Sequence, residues 1–257
     1  KIAKHTKDII AIVGFVDKPR SSLKYNVALD EGRGEKENEI YNAAAVIYNN
    51  RIQGVYHKMF LPNYGVFDEK RYFAPGYKPL VFRFAKFIFG VNICEDIWHK
   101  EGPTREQAKL GAKIIFNINA SPYHAGKTKE REEAICKQAR SNRLIICYNN
   151  LIAGQDELVF DGQGMIVDSQ GNIISRLEAF KEDLLIVDLD VPSSKARAAK
   201  NIISITGKLT YKERPTLAKK ETVTLEPVAE IYQALILGLH DYIVKNGFSK
   251  VVVGLSG

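Results

Sequence analysis

The order of short apolar runs constrains this chain more than any other feature of its sequence. Residues Lys7 to Phe15 contain DIIAIVGF, apolar enough for a strand buried on both faces. Asn42–Tyr48 and Arg51–His57 flank Asn49-Asn50 and read as a hairpin. Two further runs follow between Lys78 and Cys94, the second being FIFGVNIC. Thr104–Leu110 is expected to be helical, with Thr104 and Gln107 spaced as a capping box and Gly111 as the stop. Strands are expected at Lys113–Asn119 and Leu144–Asn149, with a charged helix between them at Lys129–Ser141. Gly162–Val167 and Asn172–Arg176 form a second hairpin about Gly171, and Leu184–Leu189 is the last strand. Hairpins alternating with strand–helix–strand units predict a layered α/β domain with mixed sheets.

From Ser193 to Lys220 the character changes: eight Lys or Arg stand against one acidic residue, Glu213. This is either a solvated linker or a basic strip that contacts a nucleotide or a neighbouring subunit. Beyond it, Val228, Ile231, Leu235, Leu239 and Tyr242 recur at helical spacing, with Gly247 as the cap. A short strand at Lys250–Val253 and the turn Gly254-Leu255-Ser256-Gly257 then begin a second α/β unit. The expected division is a first domain over residues 1–190, a basic linker over 191–221, and the start of a second domain over 222–257.

Composition excludes several classes. No run of about 18 uncharged apolar residues exists, so no membrane-spanning helix is expected, and the N-terminus carries no secretion signal. The net charge of +7 suits an anionic partner such as a nucleotide, but no basic motif interleaved with aromatics points to nucleic acid. The three cysteines, Cys94, Cys136 and Cys147, contain no CxxC pair, which argues against a zinc site or disulfide framework and for a reducing cytoplasm. The histidines have no triad or metal spacing, and no metal is expected in the first domain.

Cys94 ends an apolar strand and is followed at once by Glu95-Asp96. A strand end is where a side chain can project into a cleft, and a thiol attacks a carbonyl as thiolate, with a base or cation beside it. The ordinary fate of a free cysteine is burial as packing, which is the role expected of Cys136 and Cys147.

The surroundings of Cys94 separate it from the other two. GVNICEDIW resembles the nucleophile segment of nitrilase-family amidases, and within them the glutaminase domain of glutamine-dependent NAD synthetases. YHKMFLPNYGVFDEKRYF resembles that family's lysine segment, INASPYHAGK its glutamine-binding loop, and NNLIAGQDELVFDGQGMIVDSQG the stretch after it. All four occur in the family's order over residues 7–190, and the tail YQALILGLHDYIVKNGFSKVVVGLSG is similar to the start of the synthetase domain. The resemblance implies a nitrilase-type α-β-β-α sandwich followed by the first elements of a Rossmann-like ATP-pyrophosphatase domain.

It also implies a Glu–Lys–Cys triad that frees ammonia from L-glutamine through a thioester. Cys94 would be the nucleophile and Lys58 the oxyanion partner. Tyr64, Ser121 and Lys127 would bind glutamine. Gly254, Leu255, Ser256 and Gly257 would open an ATP-binding loop. Glu95 would either pair with the substrate ammonium or form a structural ion pair, while Trp98 and His99 are packing or surface residues. The whole enzyme would use ATP and Mg2+ to convert deamido-NAD to NAD, as a homo-oligomer. The triad's glutamate has no counterpart: Glu31, Glu35, Glu37 and Glu39 lie between the first two strands. The first strand, first helix and glutamate are expected to precede Lys1, and residues 1–257 alone are expected not to hydrolyse glutamine. A stand-alone amidase and a non-catalytic module of the same fold are the rival readings, opposed respectively by the tail and by the presence of Cys94 and Lys58.

Overall fold

The structure is a computed structural model that describes residues 1–18, 39–194, 200–207, 217, 222 and 224–257. Glu31, Glu35, Glu37, Glu213 and most of the basic stretch lie outside the described residues.

Three strands, β1 (Ile10–Asp17), β2 (Tyr41–Tyr48) and β3 (Arg51–His57), form an antiparallel sheet in that order. Asn49 and Asn50, at φ 45° and 65°, turn β2 into β3, as the hairpin reading expects. β1 is not buried on both faces as its sequence suggested. It is an edge strand, and Val16 is 61% exposed. The apolar run carries the strand signal, but burial depends on a covering layer that no described helix supplies.

The second sheet contains β4 (Val81–Phe84), β5 (Phe87–Ile93), β6 (Ile114–Asn119), β7 (Ile145–Asn150), and, further on, β10 (Met165–Val167), β11 (Ile173–Arg176) and β12 (Ile202–Ile205). Its order is β11-β10-β7-β6-β5-β4-β12. The parallel steps β5–β6–β7 are crossed by α1 (Pro103–Lys109) and α2 (Lys127–Asn142). A small hairpin, β8 (Ile152–Gln155) and β9 (Leu158–Asp161), stands apart.

Alternation along the strands builds two cores. Phe89, Val91 and Ile93 meet Ala44, Val46 and Tyr56 of the first sheet, while Ile88, Ile115, Ile146 and Met165 meet Ile135 and Ala139 of α2. The described residues therefore form a β-β-α stack, the sandwich expected without a helical layer over the three-stranded sheet. Thr104 and Gln107 are not a capping box, since Gly102 caps α1. Both are buried instead, Gln107 donating to Leu80 O (3.0 Å) and Val91 O (2.8 Å), and Asn92 donating to both.

Two expected strands do not form: Leu184–Leu189 and Lys250–Val253 make no ladder with the described residues. Leu185, Val187 and Leu189 nonetheless pack on the core, which explains their apolar alternation. The stretch read as a linker contains β12, which pairs in parallel with β4 and buries Ile205.

The predicted last helix is α3 (Pro227–Lys245), ending before Gly247 at φ 73°. Its apolar positions Val228, Leu235 and Leu239 are exposed, and a neighbouring stripe seats the helix on β8. Gly238 lies so close to Gly154 that a Cβ on Gly154 would fall 2.9 Å from its Cα. Asp241 accepts from Gly154 N–H (2.8 Å), and Lys245 donates to Gly154 O (2.5 Å).

Candidate active site

The chain leaves β5 through a 3-10 turn, Cys94–Ile97, and Cys94 itself sits at φ 43°. A non-glycine residue in that region costs on the order of 1–3 kcal/mol and persists where surrounding structure enforces it. Asp96 is the enforcing group. Its carboxylate accepts Ile93 N–H (3.0 Å), Met59 N–H (3.1 Å), Phe60 N–H (2.9 Å) and the Tyr56 hydroxyl (2.8 Å). It thus ties the nucleophile turn to the segment that follows β3. Burial raises its pKa to about 6 against the pull of those donors and of Lys58. Asp96→Asn would turn an NH2 toward donors, leaving at least one buried group unpaired at about 1–3 kcal/mol. At about 2–4 °C per kcal/mol for a domain of this size, its melting midpoint should fall by roughly 2–12 °C. An unchanged midpoint in a thermal scan would show that Asp96 does not hold the turn.

Lys58 follows β3 directly and is 1% exposed. Its Nζ donates to both oxygens of Glu69, at 2.8 and 2.7 Å, and Glu69 also accepts from Asn42 Nδ2 (3.4 Å). Glu69 was missed in the sequence; its place in the segment DEKRYF, eleven positions beyond Lys58, gave no periodic signal. Burial pushes the Cys94 thiol up to about 11, Lys58 pulls it down, and Glu69, Glu95 and Asp96 push it up again. A pKa so raised favours the protonated thiol at neutral pH, and Lys58 is the charge that most favours the thiolate.

The substrate candidates surround this cluster unevenly. Tyr64 donates to Glu95 (2.9 Å), whose other oxygen lies 3.3 Å from His99 Nε2, and His99 stacks on Phe60. Burial, with help from Glu95, raises the Tyr64 phenol to about 12. A groove of about 620 Å3 opens there, lined by Phe60, Asn63, Tyr64, Phe73, Glu95 and His99. Ser121 is buried beyond the end of β6. Lys127 begins α2 with its Nζ 4.3 Å above the Trp98 ring and 3.3 Å from Glu130. Trp98 and His99, expected as packing or surface residues, thus contact Lys127 and Glu95. Gly254, Leu255, Ser256 and Gly257 are exposed and belong to no element. Glu39 accepts from Tyr41 (2.7 Å). Cys136 and Cys147 are free thiols whose pKa values are raised by burial, that of Cys136 being pulled back by Arg140 and Arg176.

Residues 4–199 match the carbon-nitrogen hydrolase family. The glutamine-dependent NAD(+) synthetase of Aquifex aeolicus is 41% identical over 91% of this chain and 43% of its own length. That of Thermotoga maritima is 37% identical over all of this chain and 44% of its own. Among solved structures, glutamine-dependent NAD+ synthetase from Acinetobacter baumannii, in complex with ADP, superposes with a TM-score of 0.75 at 34% identity, over 97% of this chain and 40% of that one. The chain belongs to the carbon-nitrogen hydrolase family and spans less than half the length of the curated relatives it matches.

Proposed function

We propose that this chain is the glutamine amidase part of a glutamine-dependent NAD synthetase, with Cys94 as the nucleophile. The observation that carries the reading is the strained, buried Cys94 facing the Lys58–Glu69 ion pair. Relatives bearing that activity match along nearly the whole chain. Cys94 Sγ attacks the side-chain amide carbon of L-glutamine, and Lys58 holds the oxygen that gains charge. Ammonia leaves, water cleaves the thioester, and glutamate is released. Glu69 spends both oxygens on Lys58, so it positions that lysine and does not shuttle protons. The proton-transferring glutamate of the resemblance is assigned to no described residue. Tyr64, Ser121 and Lys127 bind the glutamine, and Glu95, already held by Tyr64 and His99, faces the same groove.

The domain division at residues 190 and 222 is part of the reading, with α3 opening the synthetase domain. Ammonia would pass to deamido-NAD activated with ATP, in a cytoplasmic homo-oligomer. Among the described residues no group of three or more His, Cys, Asp or Glu could hold a metal ion. Gly254–Gly257 by themselves do not make a site for ATP with Mg2+, and the amidase chemistry of this chain runs through neither.

A glutamine analogue with an electrophilic diazoketone should attach to Cys94, read by intact mass and peptide mapping. An adduct on Cys136 or Cys147 would remove the assignment. The same thiol gives a pH signature. Because its folded pKa is near 11, above the ordinary 9.0, its thiolate fraction should climb about tenfold per pH unit through neutrality. Alkylation of Cys94 by iodoacetamide should accelerate accordingly up to at least pH 10, and a rate that levels off by pH 8 would contradict the electrostatics.

A further inference from the structure

The loop from the end of β6 to the start of α2 carries Ser121 and Lys127, yet no ladder holds it. Its two ends are instead fastened to a single buried carboxylate. Asp161, at the end of β9 and 0% exposed, faces Arg131 in a two-pronged ion pair at 2.9 and 3.0 Å. Arg131 is also fully buried and lies one helical turn beyond Lys127. Asp161 accepts from Asn150 Nδ2 (3.4 Å) and from Gln163 Nε2 (2.7 Å).

Each amide reaches on to the loop. Asn150 Oδ1 accepts Ser121 N–H (2.8 Å) while its Nδ2 donates to Ser121 O (3.2 Å), so one side chain satisfies both backbone groups of that residue. Gln163 Nε2 donates to Thr128 Oγ1 (2.8 Å), beside Lys127. An ionised carboxylate is acceptor-only, so it forces each amide to present its NH2 and fixes which way the amide faces. For Asn150 that orientation leaves the carbonyl oxygen aimed at Ser121 N–H. Gln163 is held at φ 56°, a strained conformation for a non-glycine residue, and it is there that its side chain spans Asp161 and Thr128.

From this network we infer that Asp161 is a positioning residue for glutamine binding: through Asn150 and Gln163 it sets the span between Ser121 and Lys127. The inference rests on the amidase reading for the identity of the substrate. None of the three side chains touches the reacting thiol, so their loss acts on affinity and spares Cys94 itself.

Asp161→Asn would strand a buried guanidinium and endanger folding, so the arms are the informative variants. They are made in the protein expressed from its full coding sequence, and glutamate release from L-glutamine is measured. Asn150→Ala, Gln163→Ala and Thr128→Val should each raise KM for glutamine about fivefold to tenfold, the size of one lost hydrogen bond. Turnover at saturation and alkylation of Cys94 by iodoacetamide should stay close to the parent's. Thr128→Ser keeps the hydroxyl and should restore the parent's KM. Unchanged KM in these variants, or Thr128→Ser as impaired as Thr128→Val, would overturn the inference while leaving the amidase reading intact. A parent protein that releases no glutamate would defeat that reading and this inference with it.

Discussion

In the full-length enzyme of the proposed reading, Cys94→Ala should abolish glutamine-dependent NAD synthesis and leave much of the ammonia-dependent activity in place. Cys136 and Cys147 are partly buried packing groups, so no group replaces the lost nucleophile, and glutamate release should fall at least about a thousandfold. Alanine adopts the positive φ of this turn no more readily than cysteine, and Asp96 still clamps the backbone, so the melting midpoint should barely move. Ammonia-dependent synthesis needs no thioester and survives if the two reactions occupy separate sites. The check is a pair of NAD-forming assays on one preparation, with glutamine or an ammonium salt as nitrogen donor. Equal loss of both would make the cysteine structural or the two sites inseparable.

Lys58→Met should come next in severity. The ammonium lowers the thiol's pKa, and in the proposed reaction it holds the amide oxygen that gains charge. Losing one such donor typically costs about 10²–10³-fold in turnover. The same change should slow alkylation of Cys94 at pH 8, because burial and the carboxylates then act on the thiol unopposed. Glu69→Gln tests the arrangement from the other side. Lys58 keeps its charge but loses a two-point hold, and misplacement by about 1 Å can cost up to about a hundredfold. A Lys58→Met protein that turns over at the parent's rate would move the oxyanion partner elsewhere.

Much of this was legible in the sequence because it is local. Asn49-Asn50 and Gly171 mark turns through their own dihedral preferences, and period-two runs mark β5, β6 and β7 wherever they end up. Cys94 and Lys58 are read from motif, and the fold brings them within electrostatic reach. What stayed hidden depends on partners far along the chain. Glu69 looks like any residue of a charged loop until Lys58 turns inward to meet it. Thr104 and Gln107 have the spacing of a cap, but the helix begins at Pro103 and their side chains serve Asn92 and the strand carbonyls instead. The outer face of β1 was misread because apolar periodicity shows which residues match a buried face, not whether a neighbour covers it, and for the same reason the periodicity of α3 gave the helix but not its seat.

The pairing of β12 with β4 bears on how the molecule is made. Residues 81–84 emerge early in synthesis, and their outer edge waits for residues 202–205. At about 5–20 residues per second, translation leaves that edge open for several seconds or longer. During that interval β4 offers unpaired backbone next to Phe82 and Phe84, a template for any extended chain nearby. A nascent polypeptide released before Ile205, whether by a premature stop or by a cloning boundary drawn at residue 190, would keep that edge permanently. Its failure would show first as insolubility rather than as lost catalysis.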